Sequence, residues 1–180
     1  MRGGFVASRD WATFAEYVSA RSAALHRAAY LMVGDVGLAQ DVVQEALIRT
    51  HGAWLRLHAA ANAEAYTRKA IATIAIDWSR RKARSVELSS HRPPDRTTPG
   101  HADRVDDHTW LWQCLLQLPA RQRVAIVLRY YEDLTEAQTA EAMGCAVGTV
   151  KSTVSAGMAR LRALVGAVQV PFQSDEVVAP

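Results

Sequence analysis

The sequence predicts an all-α protein: two small helical domains joined by a flexible linker, the C-terminal one containing a helix-turn-helix. Three observations carry this expectation. Residues 11–84 are rich in Ala, Leu, Arg and Val and are interrupted by one helix-hostile cluster, Gly34-Asp35-Val36-Gly37. Residues 85–108 change to SVELSSHRPPDRTTPGHADRVDDH, nearly free of large apolar side chains, which is the composition of a linker. Residues 110–165 then return to helical periodicity, with a glycine turn between a short helix and a longer one.

Taken in order, the first helix is expected over about 11–33, where Phe14, Val18, Leu25, Ala29 and Met32 recur at helical spacing and form one buried face. The second is expected from Leu38 to Leu57. Its inward stripe is Val42, Val43, Ala46, Leu47, Thr50 and Trp54, with Asp41, Gln44, Glu45 and Ile48 at the edges and outside. A third helix over about Glu64–Lys82 has Asn62 as its expected N-cap and ends in the basic cluster Arg80-Arg81-Lys82-Ala83-Arg84, which complements the helix dipole. Beyond the linker, Leu118-Pro119 sets proline at the first turn of a helix running to Tyr131. Thr135-Glu136-Ala137-Gln138 has the pattern of a capping box, opening a short helix that Gly144 ends. The last helix begins near Val147 and carries the stripe Val150, Val154, Met158 and Leu161.

The charge is mildly basic overall, +3, but uneven: +5 over 1–84, −2 over 85–109, +2 over 110–165 and −2 over 166–180. Two basic segments flanking an acidic one fit a nucleic-acid partner. Cys114 and Cys145 lie far apart with no CxxC partner, so neither a disulfide framework nor a thiolate zinc site is indicated, and both are expected as plain buried thiols. His91, His101 and His108 are irregularly spaced in the linker and read as solvated, so no metal or other cofactor is expected. A glycine-rich phosphate loop and an HExxH pair are both missing from the sequence, which gives a small helical enzyme no support and no small-molecule substrate. The opening MRGGFVASRDW lacks a hydrophobic stretch of signal-peptide length and no run of eighteen apolar residues occurs, so a cytoplasmic protein is expected.

Burying the last helix's apolar stripe turns Thr149, Lys151, Ser152, Ser155 and Arg160 outward or to the flanks. Small hydroxyls permit close approach to base edges while the cations reach phosphates, so this face suits a DNA groove. A structural helical hairpin with an ordinary polar face has the same periodicity.

At these residues the sequence resembles a family. Leu118-Pro119-Ala120-Arg121-Gln122-Arg123, then Leu128-Arg129-Tyr130-Tyr131-Glu132-Asp133-Leu134-Thr135 and Gly148-Thr149-Val150-Lys151-Ser152, resemble the fourth region of extracytoplasmic-function sigma factors of the sigma-70 family. Gly34-Asp35 with Ala39-Gln40-Asp41-Val42-Val43-Gln44-Glu45-Ala46, and Tyr66-Thr67-Arg68-Lys69 leading to Ala75-Ile76-Asp77-Trp78-Ser79-Arg80-Arg81, resemble its second region. The resemblance spans about 11–165, with region 2 over 1–84, a linker over 85–109, region 4 over 110–165 and a disordered tail over 166–180.

The resemblance implies a transcription initiation factor that binds core RNA polymerase, directs it to promoters and aids their melting. It assigns docking on the clamp coiled coil of the largest core subunit to Asp41, Val42, Gln44, Glu45 and Ile48. It assigns the opened minus-10 element to Tyr66, Arg68, Lys69, Thr73, Asp77, Trp78, Arg80 and Arg81, a set that combines stacking surfaces with cations as single-strand binding requires. The minus-35 element falls to Arg121, Arg129, Thr149, Lys151, Ser152, Ser155 and Arg160. An anti-sigma protein is a further implied partner, and a monomer is expected when the chain is free. Promoter elements about 25 base pairs apart stand roughly 85 Å apart at 3.4 Å per pair. Two departures bear on preference: Thr73 stands where many relatives have Asn, and Ser152-Thr153-Val154-Ser155-Ala156 lacks two cations that many relatives carry. Gly157 also sits inside the expected last helix, where it costs about 1 kcal/mol relative to Ala. The rival reading is a stand-alone helix-turn-helix regulator, which should dimerise and bind a palindrome unaided.

Overall fold

The computed structural model describes residues 13–57, 60–88 and 108–167, and every element among them is helical. Helix α1 spans Phe14–Val33 and opens with a capping box in which the Glu16 amide donates to Thr13 Oγ1 and the Thr13 amide to Glu16 Oε2, each at 3.2 Å. Gly34 closes it at φ +82°, a left-handed conformation that a Cβ disfavours. The helix-hostile cluster is shorter than expected. Asp35 caps the N-terminus of α2, Val36–Ala53, through Leu38 N at 2.7 Å, so Val36 and Gly37 already belong to the helix. A 3₁₀ turn, Trp54–Arg56, comes next.

Helix α3, Ala60–Leu88, corrects the expected start: Asn62 lies inside it and is not its cap. Helix-favouring Ala60, Ala61 and Ala63 carry the helix through the position where a lone Asn would otherwise begin one. Its C-terminal end extends past residue 84 to Leu88. The expected linker and tail otherwise fall on residues 89–107 and 168–180, outside the described residues, as do His91 and His101.

In the second half, α4 is His108–Leu116 and α5 is Ala120–Ile126, with Pro119 in the capping position. Val127–Tyr131 continue α5 as a wider turn in which Glu132 N donates to Val127 O, five residues back, at 3.0 Å. Such an extra residue in the turn rotates the downstream chain relative to the helix. Helix α6, Glu136–Met143, has the anticipated Thr135/Gln138 capping box and ends at Gly144 with φ +60°. Helix α7, Val147–Ala167, completes the helix-turn-helix.

The two halves pack against each other. One continuous apolar core includes Leu25, Met32, Val42, Val43, Ile71 and Ile74 of the first half with Val124, Val127, Leu128, Leu134 and Met143 of the second. Helix α3 is covered on two sides, by α1 and α2 on one and by α5 and α6 on the other, which is why Ala70, Ile71, Ala72, Ile74, Ala75 and Ile76 are all buried. Gly157 has a purpose the periodicity did not reveal. A Cβ there would stand 2.9 Å from Ile126 Cδ1 and 3.2 Å from Gln122 Cβ, so glycine lets α7 lie close on α5 and the packing offsets its propensity penalty. Cys114 is buried and Cys145 half-buried, both as thiols.

Candidate functional site

Three surfaces collect the residues singled out in the sequence. The first is the outer face of α2. Asp41, Gln44, Glu45 and Ile48 are exposed there, with Ile48 at 65%. Val42 is a correction: it is 1% exposed and belongs to the core, because α2 turns positions 39, 42, 43, 46, 50 and 53 inward. Glu45 pairs with Arg49 one turn on. Beside this face a shallow groove of about 430 Å³ runs between α1 and α2, lined by Phe14, His26, Val43, Leu47, Ile48 and His51. The groove joins an acidic ridge to an apolar trough. It escaped the sequence reading because Phe14 and His26, which complete it from α1, are distant in sequence from the α2 motif.

The second surface is α3. Tyr66, Lys69, Thr73, Asp77 and Arg80 succeed one another by three or four residues and are all exposed, forming one stripe along the helix, with Arg81 exposed at its end. Asp77 Oδ1 and Arg80 Nη1 stand 4.0 Å apart. Trp78 is half-buried at the edge of the stripe with Lys82 Nζ 5.0 Å from its ring centroid, an aromatic plane already flanked by a cation.

A buried hydroxyl cluster on the opposite side of this helix holds it in place. Tyr17 of α1 donates to Thr67 Oγ1 at 2.8 Å, and the hydroxyls of Thr50 on α2 and Thr67 meet at 2.9 Å, so three helices are tied at one point. All three residues are fully buried. Burial pushes the Tyr17 phenol above its ordinary 10.0, since the phenolate would lose its hydration.

Arg68 does not join the exposed stripe. It points to the second half of the molecule, where its Nε donates to Glu132 Oε2 at 2.8 Å while its Nη2 binds Glu64. Arg21 of α1 binds the same Glu64, giving an alternating series of charges, Arg21, Glu64, Arg68 and Glu132, that runs from α1 across α3 to the second half. Sequence reasoning placed Arg68 with the DNA-facing cations because nothing local distinguishes it from Lys69.

The third surface is the outer face of α7. Thr149, Lys151, Ser152, Ser155 and Arg160 are exposed, while Val150 is buried and Val154, Met158 and Leu161 are half-buried against α5 and α6. Ser152 Oγ donates to Thr149 O at 3.1 Å, and Lys151 reaches Glu136 at 3.5 Å. Arg121 is exposed. Arg129 instead binds the Leu134 carbonyl and lies 6.0 Å over the Tyr130 ring, so it braces the turn that leads into α6.

Arg123, unremarkable in the sequence, is the buried cation of the molecule's described core. Its Nε donates to Met32 O at 2.6 Å across the two halves and its Nη1 to Leu116 O at 2.9 Å, and burial alone lowers its affinity for its proton. Among the described residues there is no group of acidic, His and Cys side chains able to hold a metal, and no helix is long and apolar enough to cross a membrane.

Comparison with known proteins gives two family matches: sigma-70 region 2 over residues 18–85 and sigma-70 region 4 over residues 108–161. An RNA polymerase sigma-E factor from Streptomyces coelicolor is 40% identical over 152 residues, covering 83% of this chain and 84% of the relative. The ECF RNA polymerase sigma factor SigL of Mycobacterium tuberculosis is 33% identical over 148 residues, covering 78% of this chain and 82% of the relative. Among solved structures, the sigma factor RpoE of Bartonella quintana, crystallised in complex with the anti-sigma factor NepR, matches the fold with a TM-score of 0.69 at 24% identity, covering 87% of this chain and 98% of that one.

Proposed function

Because this chain belongs to the extracytoplasmic-function group of sigma-70 family RNA polymerase sigma factors, and so is a promoter-directing transcription initiation factor, we propose that it divides that task among three surfaces. The α2 face, Asp41, Gln44, Glu45 and Ile48 with the adjoining groove, docks on core polymerase: the carboxylates steer a basic partner and Ile48 supplies apolar area to bury. The α3 stripe, Tyr66, Lys69, Thr73, Asp77, Arg80 and Arg81 with Trp78 at its edge, takes the opened minus-10 strand by stacking bases and pairing phosphates. Helix α7 reads the minus-35 element from its N-terminal face with Thr149, Lys151, Ser152 and Ser155, while Arg160 and Arg121 contact backbone phosphates.

The observation that carries this division is the continuous exposure of the α3 stripe on a helix otherwise buried on both sides. The exposed Tyr66 with Lys69, Arg80 and Arg81 offers a stacking surface and cations along one face, the combination that single-strand binding uses. Promoter DNA and core polymerase are thus the partners, the chain acts in the cytoplasm as a monomer and performs no reaction of its own, and an anti-sigma protein is a further partner. The sequence-level rival, a self-sufficient regulator, is not favoured, since the region 2 match leaves its N-terminal half without the dimerisation role that reading needs.

Runoff transcription with bacterial core polymerase on fragments of the source genome tests the proposal. Discrete starts that require both core and this protein, weakened by Lys69→Ala and by Ser152→Ala at opposite ends of the promoter, are expected. Duplex binding by a free dimer with no core-dependent start would overturn it.

A further inference from the structure

The N-terminal part of α7 is poor in charge. Lys151 is the only charged residue between Val147 and Ser155, and its exposed neighbours Thr149, Ser152 and Ser155 bear hydroxyls. Arg160 follows Lys151 about 13 Å further along the axis, at 1.5 Å per residue, and has no ion-pair partner among the described residues. Lys151 does have one. Its Nζ stands 3.5 Å from Glu136 Oε2, and Glu136 is the first residue of α6, so the pair joins the two helices of the helix-turn-helix. Both side chains remain open to solvent, Lys151 62% and Glu136 43% exposed, so an outside anion can reach the ammonium and exchange with the carboxylate.

The place of Glu136 matters as much as its partner. When a helix-turn-helix docks, its second helix enters the major groove while its first crosses the sugar-phosphate backbone. The N-terminus of such a first helix, with its unsatisfied amides and positive dipole end, favours a phosphate. Here α6 begins with a carboxylate instead. One anion therefore stands on the helix that crosses the backbone and holds the cation that backbone would otherwise meet.

Resting on the proposed reading of the minus-35 element by α7, we propose that Glu136 is an internal counter-anion for Lys151 that sets how strongly this helix-turn-helix binds duplex DNA. A backbone phosphate must take Lys151 from Glu136 before the two can pair, so part of the attraction is spent on the exchange. The consequence falls on the sequence-independent share of binding, which comes from cations on phosphates and depends on salt. The uncharged Thr149, Ser152 and Ser155 are untouched by it, and base readout by these side chains keeps its full weight. Glu136 thus acts as a positioning residue that holds the general affinity for DNA down while leaving recognition of the element in place.

Fluorescence anisotropy tests this with holoenzyme, assembled from core polymerase and the full chain, on a promoter duplex found by runoff transcription. The minus-35 element is intact or scrambled, and potassium chloride is varied. Glu136→Gln keeps the side chain's shape and removes its charge. Glu141→Gln makes the same charge change at an exposed position of α6 that has no ion pair among the described residues, and circular dichroism checks the helix content of each variant. Glu136→Gln should tighten binding about twofold to fivefold at about 0.1 M salt, the range an exposed ion pair spans. It should also steepen the log-log salt dependence by about 0.9, the increment for one more neutralised phosphate. Glu141→Gln should do neither, and in a Lys151→Ala background most of the Glu136→Gln gain should vanish. No gain from Glu136→Gln, a gain matched by Glu141→Gln, or one undiminished without Lys151 would refute the counter-anion role. A wild-type holoenzyme indifferent to scrambling would instead sink the assignment of α7 to the minus-35 element, with the charge coupling still read from the variants.

Discussion

Replacing Gly34 by Ala tests whether the junction between the halves is as tight as its geometry indicates. Two penalties act at once. At φ +82° an L-residue costs about 1–2 kcal/mol, and the new Cβ would lie 2.5 Å from Leu116 Cδ2, so Leu116 must swing out of the contact. Since Leu116, the last residue of α4, is half-buried against the α1 terminus, moving it adds roughly 1–2 kcal/mol. Gly144 provides the internal control: its φ is +60°, but no atom lies within 4 Å of the position a Cβ would take. Gly144→Ala therefore bears the backbone penalty alone, and both variants share the gain from a stiffer unfolded chain. Urea unfolding should give one cooperative transition for each. Gly34→Ala should lose about 1–2 kcal/mol more than Gly144→Ala, a further drop in Tm of roughly 2–8 °C for a chain of this size. Equal losses in the two variants would show that Leu116 turns aside freely, refuting the tight junction.

Thr67→Val should destabilise the fold by about 2 kcal/mol in the same assay, because the buried Tyr17 hydroxyl loses its acceptor, whereas Thr67→Ser should be near neutral. Tyr17 also gives an alkaline signature. Its folded pKa lies above the unfolded 10.0, so its contribution is complete below pH 10 and is lost as pH rises through the folded value; Tyr17→Phe should remove that dependence, read by unfolding titrations between neutral pH and strong alkali. Ile48→Asp should leave the unfolding free energy within about 0.5 kcal/mol of wild type, since Ile48 is exposed, yet weaken binding to core polymerase by about tenfold in a fluorescence titration. Unchanged core affinity would remove Ile48 from the docking face.

The features legible in the sequence are those written in neighbouring residues. Apolar spacing locates the helices, the Thr135/Gln138 box and Gly144 bound α6, and the Val150 stripe decides which side of α7 faces outward. Misreadings arise where a local signal competes with a longer one. Asn62 has the chemistry of a cap, but the alanines around it extend α3 past it. Val42 enters the docking set through a motif although its own stripe marks it as inward. Contacts across the halves leave no trace at all. Arg68 and Glu132 are 64 positions apart, and Arg123 and Met32 are 91, and no periodicity encodes a pair so separated. The wide turn after Ile126 is equally invisible, because Val127-Leu128-Arg129-Tyr130-Tyr131 has the composition of an ordinary helix.

The close seating of α7 at Gly157 has a consequence for how a promoter is read. In the proposed reading of the minus-35 element, the roll of α7 about its own axis selects the side chains offered to base edges, and Gln122 and Ile126 limit that roll by lying where a Cβ at 157 would stand. A bulkier residue at 157, or a smaller one at 126, would turn the helix without altering any residue on its outer face. On that proposal, sequence preference at the minus-35 element would be adjustable from the inside of the domain, and variants with changed preference are to be sought along α5 as well as on the outer face of α7.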